Sequence, residues 1–154
     1  RIFDTRKTLP GLRLAQKYAV RCGGGRNQRL GLFDAMLVKE NHLAAAGGIA
    51  AAVQAARVRH PELPLPVEVE TLAQLDEALA LGVKAILLDN FDLADLSRAV
   101  ALRDALGSQA ELEASGGITL ENVAGIAATG VDRISIGSLT KHVQAVDYSL
   151  RIAD

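Results

Sequence analysis

Charged, polar or glycine residues stand at the ends of five short segments of strand length in this 154-residue chain. They are Lys39 after segment 35–38, Glu68 within 65–69, Asp89 after 85–88, Ser115 and Gly116 after 110–114, and Gly137 and Ser138 after 133–136. If these segments are parallel strands, their carboxyl ends lie on one face of the fold, where α/β proteins bind ligands. One polar strand end is commonly just solvated, but five in succession predict a single composite site.

Two of the strand ends have the composition of phosphate-binding loops. Ser115 and Gly116 precede a predicted helix, and Gly137 and Ser138 follow the last predicted strand. Glycine lets the backbone approach an anion, and a helix N-terminus offers unpaired N–H groups. Paired loops on the last strands of a barrel are the usual phosphate site of that fold. Either motif alone is equally consistent with an ordinary turn.

Two carboxylates, Glu68 and Asp89, lie on neighbouring predicted strands. In that position they can hold Mg²⁺ on a diphosphate or stabilise a developing cation. The alternative is a structural ion pair, for example between Glu68 and Lys39.

A cationic cluster lies nearer the start of the chain. Arg6 and Lys7 precede a predicted helix, and Arg29 follows three glycines and Gln28. Arginine binds a carboxylate or phosphate bidentately, whereas lysine acts as a point charge. The residues therefore indicate an anionic, phosphorylated substrate. Nothing in the sequence resembles a Ser-His-Asp or Cys-His nucleophile arrangement.

The composition argues against several classes of protein. A net charge of −1 and 3% aromatic residues do not suit a nucleic-acid or membrane surface. The single cysteine, Cys22, excludes an internal disulfide and a cysteine zinc site, which favours a cytoplasmic protein. We expect Cys22 to be a small buried residue. The chain opens like the middle of a protein, so we expect truncation on its N-terminal side.

Segments of helix length alternate with the strand-like segments. They span residues 11–21, 44–58, 72–81, 93–106, 120–128 and a last one from about 143. Asp92 and Thr119 stand at expected helix starts, and Gly82, Gly107 and Gly130 at expected helix ends. This alternation indicates βαβ units and a parallel sheet. We predict one domain over residues 1–154, an incomplete, TIM-like parallel α/β barrel with fewer than eight strands. An open doubly wound sheet is the alternative.

Six segments resemble signatures of the quinolinate phosphoribosyltransferases, in order and over essentially the whole chain. They are residues 4–13, 37–42, 67–70, 88–90, 113–117 and 136–142. The resemblance implies the barrel domain of that family, without the N-terminal sandwich domain that precedes it there. It also implies transfer of phosphoribosyl from phosphoribosyl diphosphate to quinolinate with Mg²⁺. The expected products are nicotinate mononucleotide, CO₂ and diphosphate, in NAD biosynthesis by a homodimer or higher homo-oligomer.

The resemblance assigns a role to each matching residue. It implies a cationic grip on quinolinate by Arg6, Arg29 and Lys39 with Thr5 nearby, a diphosphate contact by Lys7, Mg²⁺ and ribose contacts by Glu68 and Asp89, and a 5′-phosphate cradle from Ser115, Gly116, Gly137 and Ser138. The chain departs from the family at Gln28, where a histidine is common. Glutamine donates a hydrogen bond but carries no charge, so we expect a weaker or altered grip on the substrate.

Two alternatives stay open at this stage. The chain resembles, less specifically, transferases that act on another acid, and Gln28 keeps that reading open. It is also consistent with a binding-only barrel, because in the family the N-terminal domain packs across a dimer and lends an arginine to the partner's site.

Overall fold

Five parallel strands form one sheet in the computed structural model, which describes residues 1–153. They are β1 (Ile2–Phe3), β2 (Val67–Val69), β3 (Ala85–Asp89), β4 (Glu111–Ser115) and β5 (Arg133–Ser135), in the spatial order β1-β5-β4-β3-β2. All four adjacent pairs are parallel. The predicted α/β class with a parallel sheet is therefore confirmed. The sequence analysis missed β1, because two residues are too short to show a period.

Helices connect the strands along the described chain. They are α1 (Arg13–Cys22), α2 (Glu40–Ala46), α3 (Ile49–Arg59), α4 (Leu72–Ala80), α5 (Leu93–Ala105), α6 (Val123–Ala128) and α7 (Ser138–Lys141). Thr71 caps α4 by accepting a hydrogen bond from Gln74 N, and Asp92 caps α5 by accepting one from Asp95 N at 2.7 Å. Among residues 1–153, no helix combines the length and the apolar composition that crossing a bilayer requires.

The barrel is open. Single bridges extend the sheet at both edges, Phe3 with Arg26 and Val38 with Val67, but the two edges do not pair with each other. Segment 35–38, predicted as a strand, contributes only its bridge. Met36 N and Val38 N donate to the carbonyls of Pro64 and Pro66. Glu68 N returns a bond to Val38 O at 2.9 Å, but Pro66 has no N–H group to return one to Met36, so the ladder stops at a single bridge.

The core lies between the sheet and the helices. The central strands are buried on both faces, and Leu75 of α4, Ile86 of β3 and Leu112 of β4 are completely buried within it. Burying an aliphatic side chain of this size contributes roughly 1.5–3 kcal/mol. This packing fixes the strands rigidly, so the residues at their carboxyl ends are held at defined positions.

Three sequence predictions about the helices are wrong. The helix predicted over 44–58 is two helices, because Gly47 and Gly48 adopt φ of 86° and 133°, which α-helices do not contain. The helix predicted from about 143 is absent from residues 143–153, where apolar and polar residues alternate with a period of two. Thr119 does not start a helix. It lies in a turn, and its N–H donates to Asn122 Oδ1 just before α6.

Other local predictions have mixed outcomes. Gly82, Gly107 and Gly130 follow helix ends with positive φ, as expected. Cys22, expected to be buried, is exposed, because it occupies the last position of α1 and that helix turns a different face inward.

Candidate functional site

A cleft of about 360 Å³ opens at the carboxyl ends of the strands. Nine of the residues predicted from the sequence line it: Thr5, Arg6, Lys7, Gln28, Arg29, Lys39, Glu68, Asp89 and Ser115. The structure therefore brings the cationic cluster and the two carboxylates together in one cavity. Gly116, Gly137 and Ser138 do not line the cleft. They lie just beyond the ends of β4 and β5, and the last residues of those strands, Ser115 and Ser135, do line it.

A buried hydrogen-bond cluster around Asp4 positions the two segments that carry Arg6 and Arg29. Asp4, at the end of β1, is fully buried, and its Oδ1 accepts hydrogen bonds from Lys17 Nζ at 2.6 Å and from Gln28 N at 2.7 Å. Asn27 Nδ2 donates to Asp4 Oδ2 at 2.6 Å. The loop that carries Gln28 and Arg29 is thereby tied to the strand that leads into Arg6. These bonds satisfy both buried charges, which a buried ion pair requires.

Two arginines face the cleft with few internal partners. Arg29 Nη1 makes one long hydrogen bond of 3.4 Å to Ala35 O, and Arg6 Nε is buried without a partner among residues 1–153. Burial lowers the pKa of Arg29, and the positive charge of Arg6 lowers it further. A bound dianion would relieve this repulsion and satisfy the free N–H groups.

Lys39 and Glu68 form an ion pair in the floor of the cleft. Lys39 Nζ lies 2.7 Å from each Glu68 carboxylate oxygen, so the structural alternative considered for Glu68 does occur. The side chain of Lys39 is 42% exposed, and that of Glu68 is 9% exposed. Burial raises the pKa of Glu68, and the hydrogen bond from Lys39 opposes the rise. The lysine can therefore pair with a ligand while the carboxylate remains fixed.

Asp89 ends β3 beside the start of the glycine loop. It is in register with Ser115 of β4, and its Oδ2 accepts a hydrogen bond from Asn90 Nδ2 at 2.9 Å. Residues 1–153 contain no group of three or more His, Cys, Asp or Glu side chains that could hold a metal ion by themselves. Mg²⁺ commonly binds through one or two carboxylates plus substrate phosphates. Glu68 and Asp89 fit that mode of binding and do not form a closed protein cage.

The loop after β4 approaches the loop after β3 closely. Gly116 has φ of 96°, and a Cβ there would lie 2.1 Å from Asn90 Oδ1. Neither Gly116 N nor Gly117 N donates a hydrogen bond within the part of the chain that the structure describes. The predicted helix start at this loop is wrong, since α6 begins only at Val123. Any anion binding here must rely on loop amides and not on a helix end.

The loop after β5 lies beside Thr5 and Lys7. A Cβ on Gly137 would lie 3.7 Å from both Lys7 Cδ and Thr5 Oγ1. Thr140 of α7 is buried, and its hydroxyl donates to Lys7 O at 2.7 Å. The last helix thus holds the segment of Thr5 and Lys7 against β5.

Sequence reasoning missed several residues of the site. Leu37, Leu87 and Ser135 line the cleft, and Glu113 lies buried beneath it, hydrogen-bonded by Gln28 Nε2 and Ser135 Oγ. Strand periodicity could have found Glu113, because it is two residues before Ser115 and so points to the same face of β4. A buried glutamate inside an apolar strand is itself an informative signal.

A second, larger groove of about 570 Å³ lies beside the cleft and shares Arg6, Arg29 and Lys39 with it. Most of its remaining lining is alanine and other apolar side chains from segment 35–38, α2 and α3. It contains no carboxylate and offers few polar groups that could orient a phosphorylated sugar. The smaller cleft is therefore the better candidate site, because both signs of charge meet there.

Comparison with known proteins gives concordant matches over nearly the whole chain. The family model described as quinolinate phosphoribosyl transferase, C-terminal domain, matches residues 1–151. The nicotinate-nucleotide pyrophosphorylase [carboxylating] of Mycobacterium leprae is 53% identical over 150 residues, which are 97% of this chain and 53% of that protein. A probable enzyme of the same name from Bacillus subtilis is 44% identical over 153 residues, 99% of this chain and 52% of that protein.

A solved structure agrees with the sequence matches. The nicotinate-nucleotide pyrophosphorylase from Francisella tularensis superposes with a TM-score of 0.90 at 51% identity, covering 96% of this chain and 51% of that one. The chain spans about half the length of the curated relatives that it matches.

Proposed function

Because this chain belongs to the quinolinate phosphoribosyltransferase C-terminal domain family, we propose that it supplies the site where phosphoribosyl passes from phosphoribosyl diphosphate to quinolinate. Decarboxylation then gives nicotinate mononucleotide, CO₂ and diphosphate. The observation that carries this proposal is the meeting of Arg6, Arg29 and Lys39 with Glu68 and Asp89 in one cleft. A dianionic acid and a sugar whose reacting carbon becomes cationic need these two opposite sets of charge.

The arginines are the proposed subsite for the acid. Quinolinate carries two carboxylates on adjacent ring carbons, and a guanidinium group binds such an anion through parallel N–H···O bonds. Arg6 and Arg29 have unused donors facing the cleft, and Lys39 adds a point charge. Thr5, whose hydroxyl accepts a hydrogen bond from Lys7 N at 3.1 Å, completes the acid subsite. This arrangement orients the pyridine ring for reaction.

The carboxylates are the proposed subsite for the ribose. When diphosphate leaves C1 of the ribose, positive charge develops on the sugar, and the pyridine nitrogen forms the new C–N bond. Glu68 and Asp89 stabilise that charge from fixed positions. Mg²⁺ held between these carboxylates and the diphosphate would neutralise charge on the leaving group. Lys7, exposed at the rim of the cleft, pairs with the diphosphate.

Decarboxylation follows from the charge of the adduct. The alkylated pyridine nitrogen is cationic, so the ring accepts the electron pair when the bond from C2 to its carboxylate breaks. CO₂ leaves, and C2 takes up a proton. This step needs no protein base, which suits a cleft whose lining contains no histidine.

The two loops beyond the carboxylates are the proposed cradle for the 5′-phosphate. Ser115 ends β4 and Gly116 follows it, while Gly137 and Ser138 follow the adjacent strand β5. Free backbone amides and two hydroxyl groups there can donate to phosphate oxygens.

Product analysis tests this function. The natural protein that carries this chain is incubated with phosphoribosyl diphosphate, Mg²⁺ and quinolinate labelled in its C2 carboxylate. We expect one labelled CO₂ for each nicotinate mononucleotide formed. Arg29→Lys should raise KM for quinolinate roughly tenfold, because the bidentate contact is lost. The matched change Arg98→Lys on the exposed face of α5 should leave KM unchanged.

Gln28 supports one other candidate, a transferase for a different acid. A neutral amide in the acid subsite holds a second carboxylate less strongly than a charged histidine. Nicotinate, which has one carboxylate, is the sharpest competitor. If the natural protein consumes nicotinate in preference to quinolinate, this candidate replaces the proposed function.

The length of the relatives supports a further possibility, that residues 1–154 alone bind without turnover. Calorimetry with phosphoribosyl diphosphate and Mg²⁺ distinguishes the cases, since heat without product indicates a binding-only barrel and product excludes it. The homo-oligomer implied by the family resemblance remains a prediction, which light scattering of the natural protein would check.

A further inference from the structure

Glu113 is a buried carboxylate without a cation bonded to it. It is 2% exposed and lies in β4, beneath the cleft and outside its lining. The other buried carboxylates of residues 1–153 are Asp4, which pairs with Lys17, and Glu68, which pairs with Lys39. Glu113 Oε1 instead accepts hydrogen bonds from two neutral groups, the Gln28 amide and the Ser135 hydroxyl. Burying a carboxylate without a paired cation costs free energy, so its presence here points to a function.

Gln28 connects this carboxylate to the cleft. Its Nε2 donates to Glu113, and its Oε1 accepts from Arg29 N at 3.3 Å. Its backbone is held by Asp4 Oδ1 at 2.7 Å and by Lys17 Nζ at 3.0 Å. The backbone and both ends of the side-chain amide are therefore constrained. One N–H of the amide group remains for a ligand, because an amide nitrogen carries two hydrogens.

Glu113 decides which end of the amide faces inward. An ionised carboxylate only accepts hydrogen bonds, so it attracts the NH₂ end of Gln28 and repels the carbonyl end. In the flipped orientation, the carbonyl oxygen would face Glu113 and the NH₂ group would face Arg29 N–H. Glu113 would then face another acceptor, and Arg29 N–H would face another donor. The observed orientation is therefore the one that the network permits.

We infer that Glu113 is a positioning residue that acts through Gln28, keeping a donor of the amide available to a carboxylate of the acid substrate. The inference rests on the proposed function, which places that acid beside Gln28 and Arg29. It adds a role for a residue that does not touch the substrate. Because Gln28 adjoins Arg29 of the proposed acid subsite, Glu113 should affect the acid and not the phosphoribosyl donor.

Three groups around Glu113 favour the ionised form that this role requires, against the effect of burial. Burial raises its pKa, while hydrogen bonds from Ser135 and Gln28 and the charge of Arg29 oppose the rise. Groups with such competing influences are frequent at functional sites. Ser135 supplies the second donor, and it also lines the cleft.

Glu113→Gln in the natural protein tests the inference. The new amide has nearly the same shape, but it both donates and accepts, so Gln28 is free to flip. We expect KM for quinolinate to rise roughly tenfold, with kcat and KM for phosphoribosyl diphosphate within about twofold. The matched control is Glu111→Gln, at the other end of β4, where the carboxylate pairs with Arg1 and Arg133. This control should leave both KM values unchanged.

A double-mutant cycle separates positioning from simple support of the fold. Gln28→Met removes the amide while keeping the length of the side chain, and it should raise KM for quinolinate at least as much as Glu113→Gln. If Glu113 acts through Gln28, adding Glu113→Gln to Gln28→Met changes KM no further. Gln28→Met retains the buried carboxylate, so an unchanged KM for quinolinate in that variant overturns the role even if Glu113→Gln does not fold.

The outcomes are distinguishable. Additive effects in the cycle, or equal increases in both KM values, overturn the positioning role. So does an unchanged KM in a Glu113→Gln protein that folds, or in Gln28→Met, while the wild-type protein turns over quinolinate. If the wild-type protein itself does not use quinolinate, the proposed function fails first, and this inference fails with it.

Discussion

Lys17 Nζ lies 2.6 Å from Asp4 Oδ1, and both side chains are almost completely buried. Lys17 is the only buried residue of α1, whereas Leu14 and Tyr18 of the same helix are exposed. The helix therefore turns a charged residue inward, toward Asp4 at the end of β1, two residues before Arg6. The ion pair links β1, α1 and the loop of Gln28, and so fixes the positions of Arg6 and Arg29 in the cleft.

Lys17→Met tests that link. It leaves Asp4 buried and without its cation, which should lower the free energy of unfolding by about 3–5 kcal/mol. Urea denaturation of residues 1–154 measures the change. Arg98→Met is the matched control, since it breaks an exposed ion pair with Asp95 and should cost less than about 0.5 kcal/mol. A loss as small as that of the control would show that the buried pair is not the link described here.

Gly116→Ala tests the contact between the two loops at the end of β3 and β4. The added Cβ would meet Asn90 Oδ1, and φ of 96° is unfavourable for alanine, so we expect a loss of about 2–3 kcal/mol. Gly117→Ala is the matched control, because its φ is also positive but open space surrounds the Cβ position. It should cost roughly 1 kcal/mol.

Asn90→Gly should restore part of the stability lost in Gly116→Ala, because it removes the side chain that the new Cβ meets while tolerating φ of 57° at position 90. Thermal unfolding of the wild-type protein, Gly116→Ala, Gly117→Ala and the double variant Asn90→Gly with Gly116→Ala gives the comparison. Equal losses in the two alanine variants, or no recovery in the double variant, would contradict the contact as described.

Asp89→Asn should reduce turnover without unfolding the protein. The amide keeps the shape of the carboxylate but removes the charge that stabilises the developing ribose cation, so kcat should fall roughly 10²- to 10³-fold. Steady-state kinetics and a thermal melt of the same samples measure both quantities. Asp76→Asn on the exposed face of α4 should change neither. Near-normal turnover in Asp89→Asn would exclude the assigned role.

The pKa of Glu113 predicts a pH dependence of stability. Burial raises it above its ordinary value of 4.5, so the folded chain holds this proton where the unfolded chain has lost it. The resulting stabilisation is complete below the unfolded pKa and is lost as the pH rises through the folded pKa. Wild-type protein should therefore lose stability relative to Glu113→Gln over that interval. Parallel stability curves for the two proteins would contradict the raised pKa.

The positions of the strand-end residues were predictable from the sequence. Parallel topology requires that Lys39, Glu68, Asp89 and Ser115 approach one another, and strand length with alternating helices indicates that topology. The cationic residues were identifiable by type, since Arg6 and Arg29 flank glycine-rich or proline-containing turns. The fold class and the main lining of the cleft could thus be derived before any coordinates.

The remaining features depend on tertiary contacts that no local pattern encodes. Lys17 in α1 has the type of an exposed residue, and only the position of Asp4 beneath the helix explains its burial. The open edge at Val38 likewise depends on Pro66, which lies beside it only in the folded chain. The periodicity of the sequence does not identify partners of this kind.

A crystal structure of the natural protein grown with quinolinate tests the location of the acid most directly. We predict that the dicarboxylate lies in the strand-end cleft, with its oxygens within hydrogen-bond distance of the guanidinium groups of Arg6 and Arg29. Quinolinate bound instead in the neighbouring alanine-lined groove, or absent from the cleft at concentrations that saturate turnover, would contradict this assignment.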